Sequence, residues 1–175
     1  MHRAVFLDRD GVINRALVRD GRPYAPTTLE DFVILEGAPQ AVKRLKAAGF
    51  LVVVATNQPD LATGQQSREL LDQMHAIMRQ AMDLDAIYVC PHDDKANCTC
   101  RKPKPGMLLT AAERFDIDLQ KSWMVGDRWR DVEAGRAAGC RTIFVDRGYR
   151  ETQPEADHRI RELPDAIPLI VQNDS

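Results

Sequence analysis

The sequence predicts an α/β protein: a Rossmann-like three-layer α/β/α sandwich around a mainly parallel sheet. Three observations predict it. Short apolar runs at 4–7, 51–55, 86–89, 123–126 and 142–145 alternate with segments of helical periodicity. The central runs are continuous rather than alternating, as in strands covered on both faces. Polar residues collect immediately after several runs, at one edge of the expected sheet, where ligands bind in such folds.

Element by element, Ala4 to Leu7 reads as a buried strand that ends at an acidic loop. From Ala38 to Ala48 the residues Ala41, Val42, Leu45 and Ala48 recur at helical spacing, and Gly49 is a C-terminal stop. Leu51 to Ala55 is β-branched and reads as a second buried strand. Ser67 to Met82 places Leu70, Leu71, Met74, Ile77, Met78 and Ala81 on one stripe. Ala86 to Val89 is the third strand. Pro105 to Phe115 is a helix with proline in its first turn. Trp123 to Gly126 is a strand, Asp131 to Ala138 a helix closed by Gly139, and Thr142 to Val145 a further strand. A short helix is expected over Pro164 to Val171, whereas the stretch from Tyr149 to His158 is polar and weakly specified. Two connections are long, 11–37 and 90–105, and long connections inside a compact domain tend to be functional.

The 175 residues suit one domain over 1–175, without repeats or low-complexity segments. Lys and Arg number 24 against 26 Asp and Glu, so the formal charge of 24 − 26 = −2 argues against a nucleic-acid partner. No run approaches the roughly 18 apolar residues of a membrane span. The apolar run 4–7 is too short for a signal-peptide core. A cytoplasmic, monomeric protein with no membrane partner is the expectation.

Three of four cysteines fall between 90 and 100, with His92 among them. Cys90-Pro-His92, five residues, then Cys98-Thr-Cys100 supplies three thiolates and one imidazole, a ligand set suited to tetrahedral structural Zn²⁺. Two ordinary loop cysteines beside an unrelated histidine is the plainer alternative. Cys140 opens a strand and reads as a small buried hydrophobe. His75 reads as a packed or surface residue. His2 and His158 fall near weakly constrained ends and carry no assigned role.

Asp8 and Asp10 in DRDG stand two residues apart after the first strand, where one carboxylate can attack phosphorus or bind Mg²⁺ while the other moves a proton. An acidic turn after a strand is the alternative. Asp127 follows another strand and can complete an oxygen site of the kind Mg²⁺ prefers. Asp131 lies a turn further on, either orienting a ligand or capping its helix. Thr56 and Asn57 offer a hydroxyl and a backbone N–H to phosphate oxygens. Lys102, flanked by Arg101 and Lys104, can neutralise charge on a carboxylate and a phosphoryl group.

LDRDG (7–11), ATNQ (55–58), CRKPKPGM (100–107) and MVGDRWRD (124–131) together resemble, in order, the four motifs of the haloacid dehalogenase superfamily of phosphatases. Within it, the spacing and the Cys/His loop resemble the D-glycero-D-manno-heptose 1,7-bisphosphate and histidinol-phosphate phosphatases. The resemblance implies a phosphomonoester hydrolase working through an aspartyl-phosphate. Asp8 would be the nucleophile and Asp10 the general acid and base. Mg²⁺ would be held by the Asp8 carboxylate, the Asp10 carbonyl and Asp127. Thr56, Asn57 and Lys102 would bind the transferring phosphoryl group, and Cys90, His92, Cys98 and Cys100 would hold zinc.

Neither long connection is large enough for a separate cap domain, so three loops shape the pocket: a flap over 11–37, the segment 58–66, and the zinc loop over 90–105. Heptose-bisphosphate phosphatases typically follow TNQ with Ser-Gly-x-x-Arg-Gly; here Pro59-Asp60-Leu61-Ala62-Thr63-Gly64 stands instead. A contact to a sugar or a distal phosphate is thereby missing. Arg101 is available for a distal phosphate as a planar bidentate donor, with Arg128 a second candidate. Tyr24 and Asp60 would suit the imidazole and ammonium of histidinol phosphate, the alternative substrate. Trp123 reads as core or rim, and Trp129 as pocket mouth or packing.

Overall fold

The computed structural model describes residues 1–172, so the last three residues of the expected domain lie outside the described residues. Strands β1 (Arg3–Leu7), β4 (Phe50–Asn57), β5 (Ala86–Cys90), β6 (Trp123–Gly126), β7 (Arg141–Val145) and β8 (His158–Ile160) form one sheet in the order β5-β4-β1-β6-β7-β8. Every pairing in it is parallel. Its helices are α1 (Ala38–Ala47), α2 (Asp60–Thr63), α3 (Arg68–Ala81), α4 (Gly106–Phe115), α5 (Trp129–Ala138) and α6 (Ala166–Gln172). The predicted α/β sandwich with a mainly parallel sheet is what forms.

Alternate residues of each central strand feed two separate cores, as the strand period of two requires. Val5, Leu7, Val52, Val54, Trp123 and Val125 pack with α1, α3 and α6. Ala4, Phe6, Val53, Ala55 and Met124 pack with α4 and with Cys140, the small buried hydrophobe expected. Both sides of β1 and β4 are therefore covered, which explains their unbroken apolar runs.

The helix signals resolve locally. Ser67 caps α3, its hydroxyl accepting from the Leu70 N–H. Pro105 stands just before α4, and Gly139 closes α5 in the left-handed region. Boundaries shift by a residue or two, and β4 extends to Asn57.

Two segments carry more structure than their sequence shows. The flap over 11–37 contains a hairpin, β2 (Leu17–Arg19) antiparallel to β3 (Arg22–Tyr24). The stretch from Tyr149 to His158 is specified by tertiary contacts rather than by its own composition. Its end enters β8 beside β7, and the His158 ring lies 5.8 Å from that of Trp123. Trp123 itself is core.

Candidate active site

The loops after β1, β4 and β6 meet at the carboxyl edge of the sheet. Asp8 directly follows β1, and its N–H donates to the Val125 carbonyl at 3.0 Å, tying the first loop to β6. Two glycines let the acids converge. Gly11 has φ +86°, and a Cβ there would stand 1.9 Å from Asp127 Oδ2. At Gly126 a Cβ would stand 2.1 Å from that of Asp131. Only hydrogen fits at either position.

Lys102 is the hub. Its ammonium donates to Asp8 Oδ1 at 2.9 Å, to Asp131 Oδ1 at 2.6 Å and to the Ala55 carbonyl at 2.7 Å. Burial disfavours the ammonium, but Asp131 and Asp8 outweigh that and raise its pKa, so it stays charged. Asp131 caps its helix, one oxygen accepting from the Arg128 N–H at the start of α5, while the other meets Lys102. Burial, reinforced by Asp8 and partly countered by Lys102, pushes the Asp131 pKa up to about 6.

Asp10 is held differently. Oδ1 accepts from Arg9 Nη2 at 2.8 Å and Asn14 Nδ2 at 2.9 Å, and Oδ2 from Gln58 Nε2 at 2.9 Å. Burial opposes its ionisation, yet the Arg9 guanidinium and these donors hold its pKa below the usual carboxylate value. Arg9 is completely buried; its Nη1 lies 3.2 Å from His75 Nε2 and its guanidinium over the Phe32 ring. His75 is thus a packed residue that must accept from Arg9. Burial and Arg9 depress its pKa to about 4.

The two residues after β4 divide. The Asn57 amide clamps the Lys102 backbone, donating to its carbonyl at 3.0 Å and accepting from its N–H at 3.1 Å. Asn57 lines the cavity. Thr56 is fully buried, and its hydroxyl accepts from Gln58 Nε2 at 2.8 Å. It therefore supports Gln58 rather than standing on the cavity wall.

Ligand atoms of Asp8, Asp127 and Asp131 lie within 4.8 Å of one another. Three buried carboxylates face one ammonium, a surplus of two negative charges suited to a divalent cation. Asp127 carries the sharper sign. Oδ2 accepts from the Tyr149 hydroxyl at 2.7 Å, while Oδ1 is buried with no hydrogen-bond partner among the described residues. An orphaned buried carboxylate oxygen costs several kcal/mol unless something cationic meets it. Without a cation, burial and the neighbouring Asp8 and Asp131 raise the Asp127 pKa well above its usual value. The donor set is all oxygen and fits Mg²⁺.

Above these acids opens a cavity of about 380 Å³. Its rim includes Arg22 and Tyr24 from β3, Asp60 from α2, and Arg101, Arg128 and Arg130. Arg101 Nε and Arg130 Nη1 both donate to Asp94 Oδ1, at 2.9 and 3.1 Å. Arg128 is committed to Glu151, donating from Nε at 2.9 Å and from Nη2 at 2.7 Å to one oxygen. The Asp60 pKa is raised by burial and by Asp10. Trp129 carries the Arg130 guanidinium over its ring.

Cys90, His92, Cys98 and Cys100 converge at the entrance of the loop 90–105, their ligand atoms within 4.8 Å of one another. Cys100 Sγ stands 3.0 Å from Cys90 Sγ and 3.4 Å from His92 Nδ1, and Cys98 Sγ 3.6 Å from Cys90 Sγ. Desolvation opposes a thiolate at Cys98, but the Arg101 and Cys100 N–H groups and the neighbouring thiols bring its pKa down to about 6.

The structure thus brings together Asp8, Asp10, Asn57, Lys102 and Asp127, and separately the four Cys/His residues. Sequence reasoning missed Arg9, Asn14, Gln58, Arg22, Arg130 and Tyr149. Gln58 and Arg9 lie inside quoted motifs, and their adjacency to Thr56 and Asp10 was a usable signal. Tyr149 had none.

A family model for HAD-hydrolase-like proteins matches residues 99–169. A D-glycero-beta-D-manno-heptose-1,7-bisphosphate 7-phosphatase of Pseudomonas aeruginosa is 40% identical over 149 residues, 82% of this chain and 81% of that protein. The enzyme of the same name from Pseudomonas putida is 41% identical over 85% of each chain. Among solved structures, the D,D-heptose 1,7-bisphosphate phosphatase of B. bronchiseptica complexed with magnesium and phosphate superposes with a TM-score of 0.85. It is 34% identical, and the match covers 98% of this chain and 99% of that one.

Proposed function

The chain belongs to the haloacid dehalogenase-like hydrolases and is a phosphatase, and from that premise we propose that it removes the 7-phosphate of D-glycero-D-manno-heptose 1,7-bisphosphate. The observation that carries the chemistry is the buried Lys102 ammonium donating to Asp8 Oδ1 beside a cluster of three carboxylates. Asp8 attacks phosphorus in line to form an aspartyl-phosphate. Asp10 gives a proton to the departing alcohol and then takes one from the hydrolytic water. Asp10 is strongly ionised in the free site, and an arriving phosphate dianion raises its pKa by like-charge proximity, readying the acid form. Lys102 and the Asn57 N–H neutralise the transferring oxygens. The Asp8 carboxylate, the Asp10 carbonyl and Asp127 would hold Mg²⁺, which supplies charge stabilisation to the phosphoryl group.

The distal phosphate is assigned to Arg101, with Arg130 beside it. Both guanidiniums, 15% and 23% exposed, rest on Asp94, whose own side chain is 65% exposed and so well screened by solvent. A phosphate displaces such a partner at little cost and offers a better bidentate match. The four Cys/His residues would hold a structural Zn²⁺. Three thiols and one imidazole already converge within 4.8 Å, and that donor set suits zinc. The protein is read as a monomer with a small phosphorylated sugar as its partner.

The test is phosphate release from a panel: both anomers of heptose bisphosphate, fructose 1,6-bisphosphate, and histidinol phosphate. The expected result is highest kcat/KM on a heptose bisphosphate, with Arg101→Gln raising KM for bisphosphates about tenfold, a single charged contact of about 1.4 kcal/mol. Highest kcat/KM on histidinol phosphate, lost in Asp60→Asn, would transfer the assignment to that substrate.

A further inference from the structure

Among the described residues Tyr149 is the buried hydroxyl that touches Asp127, and nothing in the chemistry above uses it. The residue is 7% exposed, and its hydroxyl donates to Asp127 Oδ2 at 2.7 Å. Both atoms press on the backbone of Gly11: a Cβ there would lie 1.9 Å from Oδ2 and 2.9 Å from the phenol oxygen. With Oδ2 occupied and walled in, Asp127 can offer only Oδ1 to a cation, and Oδ1 is the oxygen left without a partner.

The segment around the phenol is pinned on both sides. Arg147 Nε donates to the Gly11 carbonyl at 2.8 Å. The Arg150 N–H donates to the Gly21 carbonyl at 2.8 Å, at the turn of the flap hairpin. Glu151 receives the Arg128 guanidinium. Residues 147–151 thus strap the nucleophile loop, the flap and the start of α5 together, with Tyr149 at the centre.

We propose that Tyr149 is a positioning residue for the metal, locking the Asp127 carboxylate in the orientation that presents Oδ1 to a divalent cation. The inference rests on the phosphatase reading only for its effect on turnover; the geometry concerns the cation alone. Outer partners of ligating carboxylates are worth roughly 10-fold or more in metal affinity.

The experiment titrates metal-free wild type and Tyr149→Phe with Mn²⁺, reading free Mn²⁺ by electron paramagnetic resonance. The variant keeps the ring and removes the hydroxyl. The expected result is Mn²⁺ affinity about tenfold weaker, with kcat at saturating Mg²⁺ nearly unchanged. Unaltered Mn²⁺ affinity would overturn the inference, because a ring that merely fills space is preserved in phenylalanine. Glu151→Gln keeps the phenol and loosens the strap, so it is the companion variant if Tyr149→Phe does not fold. It gives a smaller weakening in the same titration, and none would equally overturn the inference. Mn²⁺ binding is read without substrate, so a chain inactive on every phosphate ester leaves this test intact, and the converse holds.

Discussion

The acidic floor of the cavity and the loop over 90–105 solve the same problem, holding charged groups still, by opposite means. Asp8, Asp127 and Asp131 are nearly or fully buried at strand ends and a helix start, with two cores packed beneath them. Their positions follow from β1 and β6, whose register sets Leu7 beside Val125. The loop is anchored at its Lys102 end, which Asp8, Asp131 and the Asn57 amide hold, but its outer part has no comparable support. Its 3-10 turn over Asp94–Ala96 buries nothing, and the exposed Asp94 pairs with Arg101 of the loop and Arg130 of α5. Four Cys/His side chains are the main convergence in it. The floor is ordered by packing, so a cation there can be exchangeable; on the proposed reading the outer loop would be ordered by its ligands, and a zinc there would have to stay.

The contrast can be broken most sharply at Asp8. Asp8→Asn is expected to lower phosphate release by on the order of 10⁴-fold or more, as loss of a nucleophile does, with an unchanged far-ultraviolet circular dichroism spectrum. Near wild-type turnover would remove Asp8 from the nucleophile's role. Next comes the loop. Protein purified without chelator should carry one zinc per chain, and Cys98→Ser should lose it. The melting temperature should then fall by about 5 °C, roughly 2 kcal/mol for a chain of this size, while the sheet persists. A zinc-free chain with wild-type melting would show that the loop orders itself.

A further effect, confined to acid pH, lies behind the floor, at His75. Burial and Arg9 depress its folded pKa to about 4, against 6.5 for the free side chain. The unfolded chain therefore takes up this proton below about 6.5 and the folded chain only below about 4, so stability falls as pH drops through that window. The contribution is at most about 3 kcal/mol. His75→Gln retains an acceptor for Arg9 without the titration. Urea midpoints at pH 7 and 4.5 should differ less for the variant; an equal difference would mean that other groups dominate the slope.

What was legible in the sequence is what the chain holds locally. Asp8, Asp10 and Asp127 follow apolar runs directly, and the Cys/His residues share eleven positions, so spacing marks them as candidates and the ordered set of motifs gives them roles. The hairpin of the flap was hidden because its strands are three residues each and mostly exposed, leaving no periodicity to read. β8 was hidden for a related reason: only Ile160 of its three residues is buried, and β7 supplies the rest of its order. Arg128 shows the limit from the other side. It sits in a motif and lines the cavity, yet Glu151, distant in sequence, already occupies its guanidinium.

The place of β1 in the sheet has a consequence for the birth of the molecule. Its partners are β4 and β6, with Arg3 paired to Phe50 and Val5 to Trp123. The strand that ends at Asp8 is translated well before either neighbour, and its second edge cannot close until about 120 further residues exist. Pairings of such long sequence separation form slowly. During synthesis this apolar strand must wait unpaired, so the floor of the cavity is completed late, once β6 has been translated.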